Sequence, residues 1–300
     1  MSNLTRRLAR AFIRSQVRYS PVFRNHCSPR YMSSQAKTFN FSPANRFGSV
    51  RLDVKDDSRY LSESSQELFA KELCDEIARC KADGIRGMWL YLPISTLALV
   101  PICLAQGFSL HHCRDGYLLM NMWLLDSAVP STMPKYTTHT VGVAGCVIDE
   151  EASKLLMIRD TTNPSIWKFP GGFSDFREDI QKTAQREVLE ETGIETEFRS
   201  VLAFRQHHDM VASFGMSDIY VVCRMQPKTK EIRPCATEIV ECRWHSLDDL
   251  FDPAFTATPF VRRILSLVER GLNNGFEDVD IKAQQLDSIM AGKTYNVFHR

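Results

Sequence analysis

Residues 172–194 read GFSDFREDIQKTAQREVLEETGI. Glu187, Glu190 and Glu191 stand at i, i+3 and i+4, so on a helix their carboxylates share one face. They lie within roughly 6 Å of one another along the axis. Three like charges this close repel, and a helix does not gather them for its own stability. A divalent cation among them removes the repulsion. Mg²⁺ takes carboxylate oxygens, keeps several waters and bridges to phosphates. A solvated acidic face is the ordinary alternative, and EVLEE alone does not decide between the two. The stretch predicts a glycine turn, then a helix over 178–192 that stops at Gly193. Ile180, Ala184, Val188 and Leu189 form its apolar face, with the acids exposed opposite.

The surrounding pattern is α/β. Strands are predicted at 141–148, 154–159, 197–205, 218–225 and 239–245, and a closing helix at 258–270 bears Val261, Ile264, Leu265 and Val268. Before the acidic helix, Trp167-Lys168-Phe169-Pro170-Gly171-Gly172 fixes a turn and lets backbone approach a ligand closely. A carbonyl at Gly172 can then reach a metal. Residues 127–138, with Pro130 and Pro134, read as the boundary with a preceding domain.

That earlier domain is predicted over 58–126 as a smaller α/β layer. Phe69, Leu73, Ile77 and Cys80 line one stripe of a helix that the serines from 62 to 65 can cap and Gly84 can end. Strands follow at 88–92, 108–113 and 117–125, with a short buried helix at 96–106. Residues 87–113 carry no Lys, Arg, Asp or Glu. The 18 nearly continuously apolar residues from 88 to 105 meet the length cue for a membrane span. Pro93 and Pro101 divide the run, and its start suits a strand, so no membrane span is expected. His111 and His112 are adjacent on a strand and should point to opposite faces, which excludes both from one site. Residues 36–57 read as a linker, and 276–300 as a C-terminal extension.

Charge separates the first residues from the rest. Residues 1–52 hold nine Arg, one Lys and no acid, which leaves 27 basic against 36 acidic residues from Asp53 onward. A body this acidic is a poor nucleic-acid binder. Over 1–35, Arg6, Arg7, Arg10, Arg14 and Arg18 alternate with Leu4, Leu8, Phe12 and Val17, the composition of a mitochondrial targeting segment. A basic tail for RNA or anionic lipid is the other reading. Matrix localisation is expected, with cytoplasm or nucleus as the alternative. Nine cysteines form no C-x-x-C pair and no zinc spacing, as suits a reducing compartment.

Gly172, Glu178, Arg186-Glu187, Glu190-Glu191 and Gly193 fall in the pattern G-x5-E-x7-R-E-U-x-E-E-x-G-U, with U apolar. The stretch fills every fixed position and resembles the Nudix hydrolase family. Residues 139–145, 167–172 and 198–202 are similar to an animal and plant subgroup whose plant members hydrolyse ADP-ribose and NADH. The similarity runs from about residue 87 to the end. It implies an α/β/α sandwich over 139–275 and Mg²⁺-dependent hydrolysis of a nucleoside diphosphate derivative, ADP-ribose or NADH, giving two monophosphates. Mn²⁺ is the alternative ion, and a homodimer is a family-level expectation.

On this resemblance Glu187 and Glu191 are direct metal ligands. Glu190 is a third ligand or orients water. Arg186 pairs with Glu178, which can itself reach a metal through water. Arg186 and Glu187 are neighbours in sequence, so their side chains should diverge. The general base stays open among Glu190, Glu238 and Glu241. Arg205, Gln206 and His207 are candidate contacts for the nucleotide substrate. The rival function is a non-catalytic module that holds a nucleotide or a protein, for which the extra N-terminal domain is the best support.

Overall fold

The computed structural model describes residues 39–56, 62–209, 213 and 215–300. The expected targeting segment lies outside them. The chain divides into two compact units, Met1–Pro134 and Lys135–Arg300.

In the first unit five strands form one sheet in the order β1-β2-β3-β5-β4. They are β1 (Phe39–Ser42), β2 (Ser49–Val54), β3 (Gly87–Pro93), β4 (Ser109–Arg114) and β5 (Tyr117–Trp123). The linker expected at 36–57 is therefore corrected: its described part supplies two strands, with Phe39, Val50, Leu52 and Val54 in the core. Alternation of Val50, Leu52 and Val54 with polar residues buries one face of a strand, and the polar half had suggested a linker. Helix α1 (Glu63–Ala82) crosses over between the parallel strands β2 and β3. It buries Phe69, Leu73, Ile77 and Cys80. The apolar run from 88 breaks into β3, a 3₁₀ turn (Ile94–Leu99) and the short α2 (Val100–Ala105). Leu97 and Leu104 are exposed, so 96–106 is only half buried. No helix of the described residues is long and apolar enough to cross a membrane.

The expectation for the two histidines fails. The β4–β5 register shifts between Leu110 and His112, so His111 is the extra residue of a bulge. The two rings meet, with Nδ1 to Nδ1 at 2.6 Å. Strand alternation separates neighbours only where the ladder is regular.

The second unit is built on β6 (His139–Asp149). Strand β10 (Ser217–Pro227) runs parallel along it, and β9 (Thr196–His207) pairs antiparallel with β10. On its other edge β6 changes partner. Gly142, Val143 and Ala144 pair with β8 (Gly171–Phe173), whereas Ile148 and Asp149 pair with β7 (Lys154–Asp160). Strand β7 carries on to β11 (Ile239–Ser246). The sheet thus forks at the middle of β6.

Two cores cover its faces. Val143, Val147, Val221 and Cys223 pack against Ala184 and Val188 of α3 (Ile180–Thr192). Ala144, Cys146, Ile148 and Val222 pack against Val261, Ile264, Leu265 and Val268 of α5 (Pro259–Asn274). This is an α/β/α sandwich. A short helix α4 (Leu247–Phe251), capped reciprocally by Ser246 and Asp249, was not anticipated. The C-terminal extension is part of the unit. It folds into the hairpin β12 (Lys282–Asp287) and β13 (Thr294–His299), and Ile281 bridges Val201. Buried Asp280 accepts from Ser200 Oγ at 2.5 Å and from Arg224 at 2.6 and 3.0 Å. The eight described cysteines are free thiols.

Candidate active site

Helix α3 starts at Ile180 with Asp179 as its N-cap, two residues later than expected, and ends at Gly193 with φ 74°. Glu178 therefore sits in the loop before the helix. That loop is prepared for a carboxylate. Asp175 N–H donates to Glu178 Oε2 at 3.0 Å, and Thr183 Oγ1 donates to it at 2.9 Å.

Arg186 is the hub. Its guanidinium grips Glu178 with two bonds of 2.9 Å, a bidentate fork. It also donates to Glu187 at 2.7 Å, to Glu190 at 3.1 Å and to the carbonyl of Phe173 at 3.0 Å. The expected divergence of Arg186 and Glu187 is corrected: both long side chains bend to the same side, toward the loop. Arg186 holds the Glu178 carboxyl down at about 2. The acids in turn raise Arg186.

Glu191 stands apart. It is only 7% exposed, which corrects the exposed position expected for it. Ala184, Val188 and Glu191 are at i, i+4 and i+7, so Glu191 ends the buried stripe. Leu189, expected in that stripe, is exposed. Gly171 N–H donates to Glu191 Oε2 at 2.7 Å. Burial pushes the carboxyl up to about 7; Gly171 and Lys168 oppose the shift, whereas Glu187 and Glu238 add to it. Burial also raises Glu187, against the pull of Arg186. Glu190 is the open acid of the group, with its side chain 58% exposed.

The two glycines are demanded by contact. A Cβ on Gly172 would stand 2.7 Å from the carboxylate carbon and both oxygens of Glu187. A Cβ on Gly171 would overlap the Val143 carbonyl and come within 2.6 Å of Ala144 Cα. Strand β8 thus presses flat against β6 and brings its backbone to Glu187 and Glu191.

Glu187 and Glu191, one helical turn apart, are both withdrawn from water, and Arg186 bonds to the first of them. The donors are all hard oxygens, and the surplus of negative charge suits Mg²⁺ or Mn²⁺. Among the described residues no three acidic, His or Cys side chains are arranged to hold a metal ion; Glu178, Glu187 and Glu190 bond to Arg186 instead. Glu187 and Glu191 would hold the ion, with Glu178, Glu190 and the Gly172 backbone beside them.

The other candidates are dispersed. Arg205 lies over the rings of Tyr220 and Phe260, on the α5 face of the sheet. Gln206 points to the opposite face and meets His139 Nε2 at 2.7 Å. His207 follows at the exposed strand end. Those three do not form one cluster. Glu241 is bound by Arg159 and Arg243, whereas Glu238 is exposed and adds to the field at Glu191. A cavity of about 400 Å³ beside the loop is lined by His139, Val141, Phe173, Phe176, Arg177 and Ile180.

Two groups escaped the sequence reading. Lys168, ion-paired with Asp160, acts on Glu191. Its signal was a cation in the turn before the glycines. Asp218 is buried, and its signal was an acid opening an otherwise apolar strand.

Residues 138–268 match the family described as NUDIX domain, and residues 42–124 match one described as Nudix hydrolase domain. The chain is 38% identical over 258 residues to nucleoside diphosphate-linked moiety X motif 6 of Mus musculus and to that of Homo sapiens. Each match covers 85% of this chain and 80% of the relative. It is 32% identical over 240 residues to Nudix hydrolase 8 of Arabidopsis thaliana, covering 79% of this chain and 64% of that protein. With its acidic motif on a sandwich helix and relatives matched over most of their length, the chain belongs to the Nudix hydrolase family.

Proposed function

We propose that this chain hydrolyses the diphosphate bond of a nucleoside diphosphate derivative, ADP-ribose or NADH, to two monophosphates with Mg²⁺ or Mn²⁺. The observation that carries the reading is the arrangement of the four box acids. Three of them meet at Arg186, and the fourth closes on Gly171 N–H beside Gly172. The substrate class comes from the resemblance of the flanking strands and turn.

When bound, the divalent ion neutralises diphosphate oxygens and activates water for in-line displacement. The chain's residues set up that chemistry. Glu187 and Glu191 present oxygens from one turn of a rigid helix. Arg186 aims Glu178 and Glu187 through short charge-assisted bonds. Glu190, the most exposed acid of the box, is assigned to orient the attacking water and accept its proton. Glu238 is the competing base.

The test is AMP release from ADP-ribose and NADH by the full chain with Mg²⁺, against diadenosine polyphosphates, CoA and 8-oxo-dGTP. Turnover of the first two supports the reading; absence of turnover on the whole panel overturns it. Import into the mitochondrial matrix is a further part of the proposal, supported by the composition of the first residues. A tagged full chain found in cytosol at full length would overturn that part.

A further inference from the structure

Register aligns Phe173, Gly142, Tyr220 and Arg205 in one row across β8, β6, β10 and β9. The next row begins with Gly172. The row therefore runs from Phe173, next to the box glycine, to Arg205 over three strand spacings, roughly 14 Å. That is the length scale of a nucleoside diphosphate. Tyr220 folds over Gly142, where a Cβ would stand 2.7 Å from its ring.

At the far end of the row the Arg205 guanidinium lies 5.0 Å from the ring centroids of both Tyr220 and Phe260. Those rings are 6.2 Å apart at 73°. The Arg205 side chain is 37% exposed and that of Asp218 is 5% exposed. Their closest approach, Nη2 to Oδ2, is 3.9 Å, far longer than the 2.7–2.9 Å typical of a charge-assisted bond. Arg205 Nε and Asp218 Oδ1 are both buried without a hydrogen-bond partner. Native structures leave few such atoms, and each calls for an explanation, such as an ordered water, an ion or a functional role. The pair forgoes a tight fork, and the guanidinium lies on aromatic rings with part of its surface in water.

We propose that Arg205 is the platform on which the planar base of the substrate stacks, backed by Tyr220 and Phe260, while the diphosphate lies at the box. Asp218 is a positioning residue that holds the guanidinium over the rings. A guanidinium is a flat, weakly hydrated cation that stacks on aromatic faces, which a lysine ammonium cannot do. Nucleic-acid bases are known to stack on arginine planes. The diphosphate end of this placement rests on the proposed function; the base end rests on the Arg205 geometry alone.

The test is a metal-free titration of the full chain with the fluorescent base analogue 1,N⁶-etheno-ADP-ribose. Stacking quenches the etheno ring, and the wild-type chain is expected to quench it. Arg205→Lys keeps the charge but loses the plane. It should bind roughly ten-fold more weakly, about 1.4 kcal/mol, without quenching. Asp218→Asn should weaken binding less. Base-free ribose 5-diphosphate should compete equally well in wild type and Arg205→Lys. Should Arg205→Lys melt early, Phe260→Leu removes one backing ring and reads the same quench. Unchanged quenching and affinity in the variant overturn the platform, as does equal loss of base-free binding or no binding by wild type. A wild-type chain that quenches but does not hydrolyse with Mg²⁺ overturns the diphosphatase reading alone. Hydrolysis of ADP-ribose with an unchanged KM in Arg205→Lys overturns the platform alone.

Discussion

Gly171 N–H points at Glu191 Oε2 from 2.7 Å. The last acid of the box is thereby fastened to the turn that precedes the helix, twenty residues earlier. The bond gives one buried carboxylate a defined direction, and it makes its two nearest substitutions differ sharply. Glu191→Gln keeps an acceptor for Gly171 and removes a charge that burial disfavours. Its metal-free Tm at pH 8 should equal or exceed wild type, while Mg²⁺-dependent turnover falls roughly 10²-fold or more. Glu191→Ala leaves the Gly171 donor unpaired and should cost about 1–3 kcal/mol. Thermal melts and AMP release on both variants check this; undiminished turnover in Glu191→Gln would sink the ligand assignment.

Opposite shifts at two acids give the metal-free chain a stability optimum in pH. Glu191 is raised from 4.5 to about 7, so its contribution is full below about 4.5 and is lost as pH rises through 7. The loss is on the order of 3 kcal/mol. Glu178 is lowered from 4.5 to about 2, so its contribution is present above 4.5 and is lost as pH falls toward 2. Mg²⁺ should restore the alkaline arm, raising Tm at pH 8 far more than at pH 5. Equal Mg²⁺ effects at the two pH values would contradict it.

Removing Arg186 should be the most damaging change in the box. Arg186→Ala leaves Glu178, Glu187 and Glu190 without their shared cation, a loss of about 2–3 kcal/mol for charge-assisted bonds only partly withdrawn from water. Arg186→Lys offers a point charge in place of a fork and should recover part of the stability but little of the turnover. Denaturant melts with and without Mg²⁺ separate the two effects.

Adjacent glycines should fail in different ways. An alanine at 172 meets the far end of the Glu187 side chain, which can swing aside. Gly172→Ala should fold with near-native Tm and lose most of its turnover. An alanine at 171 meets backbone of Val143 and Ala144, so Gly171→Ala should lower Tm by several degrees or prevent soluble expression. Matching Tm values for the two would refute the distinction.

The sandwich was legible because a central strand buried on both faces reads as a continuous apolar run, and 141–148 is one. The box helix was legible through its spacing and Gly193. Four things were not. Glu191 looks like its neighbours in sequence; only the packing of Ala184 and Val188 on β6 makes it the buried one. His111 and His112 meet through a bulge, which periodicity cannot show. Arg205 and Gln206 are adjacent but face opposite ways, so a single contact patch was the wrong picture for them. Asp218 and Tyr220 matter through a register between β9 and β10 that no local pattern encodes.

Midway along β6 the neighbouring backbone changes from β8 to β7, and the turn before β8 stays bonded to β7 through Ile158 and Lys168. The segment 168–173 is thus clamped by main-chain bonds on both sides, like work held in a vice: side-chain changes around it leave its position alone. Glu187 and Glu191 would then meet the same backbone in any variant, while what reaches them is sorted by residues such as Arg205, Lys168 and Glu238.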